Sequence, residues 1–408
     1  MMDARLVRIG DITPAEEERW RRLAAIAIEP NLSFEPEAVL GCAAHLPGWR
    51  DRQLLVVEDG ERYRAGMVLR PLERRRDLPL RSVTTRVDPA TVPMLPVLGT
   101  PLVDPERAPE AVAALMAGLT SDRLGWPGGS RPSVLLCDRW HDGGPVASLL
   151  GAACRTLSLR CTTGERWERP LLTRHPTPDG VGWPEWLGAR RLAEIRRRAR
   201  RLTETVDGAV RCVDRAEDPG AVDEYLRLER SGWKGRAGTA LADAPERAEA
   251  FKETCRRWRC EGRLSMLTLE AAGTPVALRC AVRSGDVLFL LRIAYDEEFA
   301  RYGPGVQLEL ATGEHFLGST DARSMDSCCT PGNTFYDDWL PHRTGVATAA
   351  IALRPAGAAW LATVPVIRPA VRRLRPSALR AAVTARRTDR SATPPVATTI
   401  EETDRRSG

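Results

Sequence analysis

The chain has 408 residues, 43% hydrophobic and 28% charged, a balance that suits a globular protein with apolar material for two domains. Its 60 basic and 54 acidic residues leave a formal charge of +6, too small by itself to call for nucleic acid. Ten cysteines without zinc-ligand spacing, five dispersed histidines and no apolar run of the ~20 residues a membrane span needs exclude a Cys/His metal module and a spanning helix.

Residues 1–18 are polar and acidic, so no secretory leader is expected and the reducing cytoplasm is the expected compartment. A helix is predicted over residues 36–45, followed by a strand at 54–58, a turn at Asp59-Gly60 and a return strand at 65–69. Residues 186–206 carry Leu187, Leu192, Ile195, Ala199 and Leu202 at helical spacing, with Arg190, Arg191, Arg196, Arg197, Arg198, Arg200 and Arg201 on the other faces. No aromatic residue interleaves with these arginines after Trp186, which favours a linker helix with a solvated basic face over a nucleic-acid contact.

The helix-strand-turn-strand order then recurs: a helix at 245–259, a strand at 264–270, a turn at Ala272-Gly273 and strands at 275–283 and 287–293. A further helix is expected over 306–317. After Arg354 the chain turns rich in Pro, Ala and Arg, which predicts a largely disordered tail over 356–408. A short basic helix at 369–387, on a membrane surface or a partner, is a side reading.

Two blocks carry the functional signal. Residues 229–241 place Glu229, Trp233 and Lys234 among glycines and small residues, a composition suited to a loop over a ligand. Lys234 and Lys252 are the only lysines in an arginine-dominated chain. Residues 294–305 run from a strand through Tyr295, Asp296, Glu297 and Glu298 into Tyr302-Gly303-Pro304-Gly305. A Gly-Pro-Gly turn entering a helix aims backbone N–H groups at an anion. Asp296 and Glu229 are the candidate proton acceptors, and Tyr336 is a candidate proton donor.

Together the blocks resemble the BioF2-like or CelD-like (cellulose biosynthesis type) branch of the GNAT acyltransferases, which carry Glu-x-x-x-Trp-Lys-Gly and Tyr-Asp-Glu…Pro-Gly in this order. The resemblance covers residues 185–355 well and the first half loosely. It implies an α/β fold of tandem GNAT-like domains with mixed sheets and flanking helices. The expected division is a degenerate domain at 1–180, a catalytic domain at 181–355 that includes the basic helix, and the tail.

It implies transfer of an acyl group from acetyl-CoA or another acyl-CoA to an amine or hydroxyl of a saccharide-type or cell-envelope precursor. Catalysis would fall to Asp296, Glu229, Lys234 and Tyr336. Cofactor binding would fall to Arg292, Arg301, Gly303, Gly305 and Val306, and substrate binding to Trp233 and Tyr295. Where relatives have a lysine before Ala-Tyr-Asp-Glu, this chain has Arg292-Ile293, and Asp337 stands where they have a lysine after the tyrosine. DNA is not an expected partner. The rival readings are a Fem-like transferase using aminoacyl-tRNA, with the arginine helix on RNA, and a non-catalytic binding protein of a polysaccharide assembly complex.

Overall fold

The computed structural model describes residues 2–74, 78–86, 98–129, 131–177 and 180–363. Its first half runs β1 (Asp3–Arg8), α1 (Pro14–Ile26), α2 (Pro36–His45), β2 (Gln53–Asp59), β3 (Arg62–Leu72), β4 (Ser82–Thr84), β5 (Leu102–Val103), α3 (Ala108–Thr120), β6 (Val134–His141), α4 (Pro145–Thr156) and β7 (Cys161–Thr173). The second half runs α5 (Ala189–Val206), β8 (Val210–Asp214), α6 (Gly220–Ser231), α7 (Trp233–Arg236), α8 (Pro245–Cys260), β9 (Leu264–Ala271), β10 (Thr274–Ser284), β11 (Val287–Tyr295), α9 (Pro304–Ser319), β12 (Ser324–Asp326) and β13 (His342–Ala352).

Local chemistry sets several of these boundaries. Thr13 and Glu16 form a reciprocal capping box with Pro14 in the first turn of α1, so that helix starts with its first N–H groups satisfied. Along α5 the buried positions are Leu192, Ile195 and Leu202, one stripe of a helix that carries seven arginines on its other faces.

The strands form one mixed sheet in the order β1-β2-β3-β4-β6-β13-β7-β12-β11-β10-β9-β8, with β5 beside β3. Its two wings repeat one pattern. Each begins with an antiparallel run, β1-β2-β3 or β8-β9-β10, and each contains a parallel pair, β4 with β6 or β11 with β12. The last strand of each half is exchanged: β7 completes the second wing on β12, and β13 completes the first wing on β6. β7 and β13 then pair with each other at the centre. An apolar core of residues from both halves, including Trp20, Trp49, Phe34, Tyr225, Phe251 and Trp258, lies beneath helices α1, α2, α6 and α8.

Where the tail was expected to begin, residues Pro355–Thr363 instead form helix α10, with Gly357 and Leu361 buried. Its apolar Ala-rich sequence packs on β13, and a Cβ at Gly357 would stand 2.1 Å from the Ser133 carbonyl oxygen. The remaining tail, with the side reading at 369–387, lies outside the described residues.

Candidate active site

β11 and β12 pair in parallel only over Val287–Phe289 and Ser324–Asp326. Beyond Phe289, β11 continues to Tyr295 with β10 as its ladder partner, while the chain leaving β12 turns at Cys328 through a left-handed backbone (φ 53°). The second wing therefore has a gap between two strands that start paired. The equivalent place in the first wing is filled by its own backbone. Thr85 N–H bonds Leu136 O at 3.1 Å and Gly99 N–H bonds Arg139 O at 3.2 Å. Asp138 N–H donates to Thr85 Oγ1 at 2.9 Å. A Cβ on Gly99 would stand 2.3 Å from both Asp138 O and Thr85 Oγ1, so only glycine fits this plug.

A bulge decides what reaches the open gap. Ala281 pairs with Leu290 and Cys280 with Arg292, leaving Leu291 as the extra residue of β11. Leu288 and Leu290 pack on the side of α5 and α9, and beyond the bulge Ile293 and Tyr295 take that side. One inserted residue thus reverses the alternation and turns Arg292 to the opposite face, toward α6.

There Glu229 forms the hub of a buried cluster. Its position four residues after Tyr225 puts both on one face of α6, and Tyr225 OH donates to Glu229 Oε1 at 2.8 Å. Arg292 Nε donates to the same oxygen at 2.9 Å and contacts Tyr225 OH at 3.2 Å. Leu241 N–H donates to Glu229 Oε2 at 2.8 Å. Lys234 Nζ donates to Glu229 Oε1 at 3.0 Å and to the Ile293 carbonyl of β11 at 2.8 Å. Burial alone would raise the Glu229 carboxyl, but Arg292, Lys234 and the Leu241 N–H overcome it and hold it down at about 2. Burial and the Arg292 charge push the Lys234 ammonium down to about 8, against the opposing pull of Glu229.

Short helix α7 delivers that lysine. It follows α6 so closely that a Cβ on Gly235 would lie 1.8 Å from Arg230 O, which accounts for the glycine after Trp-Lys. Glu297 clamps α7 to the exit of β11, accepting from Trp233 N–H at 2.6 Å and from Arg236 Nη2 at 2.6 Å. Trp233 itself is 39% exposed, with Lys234 Nζ 5.9 Å from its ring centroid.

The opposite face holds the helix entry. Gly303 is left-handed (φ 62°), Pro304 opens α9, no side chain caps that helix and its first turn has no acidic residue. Arg198 Nη1 from α5 lies 3.4 Å from where a Gly303 Cβ would be. The Tyr295 ring lies against Gly305, 3.2 Å from an added Cβ. Val306 packs with the apolar cluster under α5, and Arg301 lies over the Tyr302 ring at 4.7 Å. An uncapped N-terminus beside a guanidinium suits a phosphate-type anion.

Deeper on that face, Tyr336 OH donates to Glu309 Oε1 at 2.8 Å and meets Arg279 Nη2 at 3.1 Å, and Arg279 is ion-paired with Glu309. Burial raises the Tyr336 phenol against the opposing Arg279 charge, so it stays protonated. Arg169 of β7 pairs with Asp326 of β12 at 3.1 Å beside this floor.

The structure thus gathers Glu229, Lys234 and Arg292 in one cluster, Gly303, Gly305, Val306 and Tyr295 at another, and Tyr336 in a third. Arg292, read from sequence as a cofactor contact, has its guanidinium engaged by Glu229 and Tyr225. Asp296 caps the turn it begins, accepting from Glu298 N–H at 3.0 Å. Tyr225, Arg279, Glu309, Arg169 and Asp326 were missed. Arg279 had a legible signal, a charge flanked by Leu278 and Cys280 inside an apolar strand. No group of three or more side chains suited to a metal occurs among the described residues.

Residues 189–336 match the family described as the acetyltransferase (GNAT) domain. That match runs from the start of α5 to Tyr336. No curated protein matches the chain. Among solved structures, FemX aligns over 86% of this chain and 98% of its own, at 9% identity and a TM-score of 0.54. A conserved protein of unknown function from Bacteroides thetaiotaomicron aligns over 84% of this chain and 98% of its own, at 11% identity and a TM-score of 0.51. These likenesses concern the fold, a two-winged α/β architecture, and the segment matched by the family includes α5, β11, α9 and Tyr336.

Proposed function

We propose that the chain is an acyl-CoA-dependent acyltransferase of the CelD-like type, with its active site in the gap between β11 and β12 and its first wing, whose gap is plugged at Gly99, retained for structure. The observation that carries this reading is the division of labour across that gap. An uncapped helix entry with Arg198 and the buried Tyr336 lie on the α9 face, and the Lys234–Glu229 pair lies on the α6 face. The acyl-CoA would supply an acyl group activated as a thioester.

Gly303, Gly305 and Arg198 would hold its pyrophosphate. Neutral Lys234 has two hydrogens for its two acceptors, Glu229 Oε1 and Ile293 O, and keeps a lone pair to take the proton of an attacking amine or hydroxyl. Tyr336, held by Glu309 and Arg279, would return a proton to the departing sulfur. Asp296 acts as the cap of its turn and Trp233 as an exposed wall on the acceptor side. The acceptor class, a saccharide-type or cell-envelope precursor, comes from the family resemblance. The cytoplasm is the proposed compartment, and no described helix is long and apolar enough to cross a membrane.

Melting temperature against coenzyme A, acetyl-CoA, malonyl-CoA and longer thioesters tests this reading, because a ligand of the native state must stabilise it. A rise with at least one thioester is expected, and no rise with any of them refutes it. The fold-level likeness to FemX, with the exposed Arg196, Arg197, Arg200 and Arg201 of α5, supports the aminoacyl-tRNA reading as second choice. Binding of tRNA that weakens steeply with salt would favour it.

A further inference from the structure

We infer that Lys234 is a self-acylation site: in the absence of acceptor, its amine attacks the thioester bound in the gap and becomes an amide, which shuts the enzyme off. The inference rests on the acyl-CoA reading and adds to it a modification of the protein itself. The chain contains two amine side chains, Lys234 and Lys252, because every other basic residue apart from histidine is arginine, whose guanidinium stays protonated and is a poor acyl acceptor. Lys252 is a surface residue, ion-paired with Asp223 at 2.8 Å and Glu249 at 3.3 Å. Lys234 is turned inward instead, with Nζ on the carbonyl of Ile293. That residue lies on the part of β11 that has left β12.

Burial and the neighbouring cations favour the neutral form of Lys234, against the pull of Glu229. Arg292 lies on the same Glu229 oxygen and Arg279 stands across the strand, so the single carboxylate of Glu229 serves more than one cation. Tyr225 donates to Glu229 and offers no further negative charge. A neutral amine here needs only a carbonyl carbon within reach.

In the reaction the Nζ lone pair forms a C–N bond to the thioester carbonyl carbon and the C–S bond breaks. The proton lost from nitrogen is balanced by the one gained by sulfur, leaving an amide and a free thiol, with no oxidant or reductant required. The amide can no longer accept a proton. It also removes the positive charge that faces Glu229, leaving Arg292 as that carboxylate's remaining cationic partner of the two.

The test uses the full chain as a Lys252→Arg variant, whose single lysine is Lys234. It is incubated with acetyl-CoA without acceptor, and acylation is followed by intact mass and peptide mapping, which separates Lys234 from the terminal amine. One acetyl group on Lys234 is expected, accumulating with loss of transferase activity and about tenfold faster at pH 9 than at pH 7, as an amine near 8 gives up its proton. A Lys234→Gln chain should take up none at this position of the map. Acetyl-CoA that raises the melting temperature while Lys234 stays unmodified overturns the inference and leaves the acyl-CoA reading standing. Acetyl-CoA that neither binds nor acylates overturns both. In the unaltered chain, equal labelling of Lys234 and Lys252 also overturns it, since that is ordinary surface chemistry.

Discussion

Replacing Glu229 by Gln tests the cluster that positions Lys234. The amide keeps the size of the side chain and an oxygen for Tyr225, but removes the charge that Arg292 and Lys234 share. Glu229 is held at about 2 against 4.5 for an unperturbed carboxyl, and that gap corresponds to roughly 3 kcal/mol of stability. The independent expectation for removing one partner of a buried ion pair is about 3–5 kcal/mol, so both routes agree on scale. The sign follows from the lowered carboxyl: its contribution is fully present above about 4.5 and is lost as pH falls toward about 2. Lys234 carries a penalty below about 8, since a folded value near 8 under the free 10.5 means stability is recovered as pH rises between the two. Urea denaturation followed by tryptophan fluorescence should therefore show Glu229→Gln less stable by roughly 3 kcal/mol near neutral pH, with a flatter acid limb. A variant within about 1 kcal/mol of the parent, with the same acid limb, would mean that the hub does not exist as described.

Tyr336→Phe should lower kcat about 10²–10⁴-fold with little change in KM, measured by thiol release, because the proton donor is lost while the fold keeps its aromatic; a change of about twofold would remove Tyr336 from catalysis. Gly305→Val should push the Tyr295 ring, 3.2 Å from the added Cβ, and cost about 1–3 kcal/mol while abolishing the thermal shift by coenzyme A; an undiminished shift would place the anion elsewhere. With Lys234 as base, kcat/KM should rise with pH to a plateau above about 8. Because Glu229 holds that value up, the limb should move to lower pH in Glu229→Gln; a limb that stays put would mean another group titrates. Changing Arg196, Arg197 and Arg200 to Gln should leave activity nearly unaltered, as these are exposed positions of α5; a collapse that grows with salt would favour the RNA-dependent reading.

Much of the architecture was legible because it follows from short-range rules. The strand pairs around Asp59-Gly60 and Ala272-Gly273, the α5 stripe at Leu192, Ile195 and Leu202, and the Gly303-Pro304 helix entry are local statements of period and turn chemistry. The exchange of β7 and β13 is not local. It pairs Thr344 with Arg169 across nearly half the chain, and each strand reads only as one more apolar run. The surroundings of Arg292 were hidden for a similar reason. The sequence reading placed it among the cofactor contacts, and the bulge at Leu291 that turns it toward α6 leaves no mark in a run of apolar residues. Glu309 was hidden because α9 buries Gln307, Leu308, Glu309 and Thr312, a face with no clean apolar stripe.

The same bulge explains why one wing of a near-symmetric sheet could retain chemistry. Both wings open a parallel strand pair after three residues, and both must satisfy the backbone groups so exposed. The first wing does so with its own backbone and Thr85, which closes the gap and forbids a side chain at Gly99. In the second wing Lys234 reaches the carbonyl of Ile293, a bond that a flexible side chain can make or release. Holding a lysine there requires a buried counter-charge, supplied by Glu229, and a second cation strong enough to keep the lysine near neutrality, supplied by Arg292. Arg292 can play that part only because Leu291 is inserted ahead of it. Deleting Leu291 would restore plain alternation, return the arginine to the α9 face and leave burial without the help of Arg292 against the Lys234 charge, so the chemistry of the gap depends on the residue with no cross-strand partner.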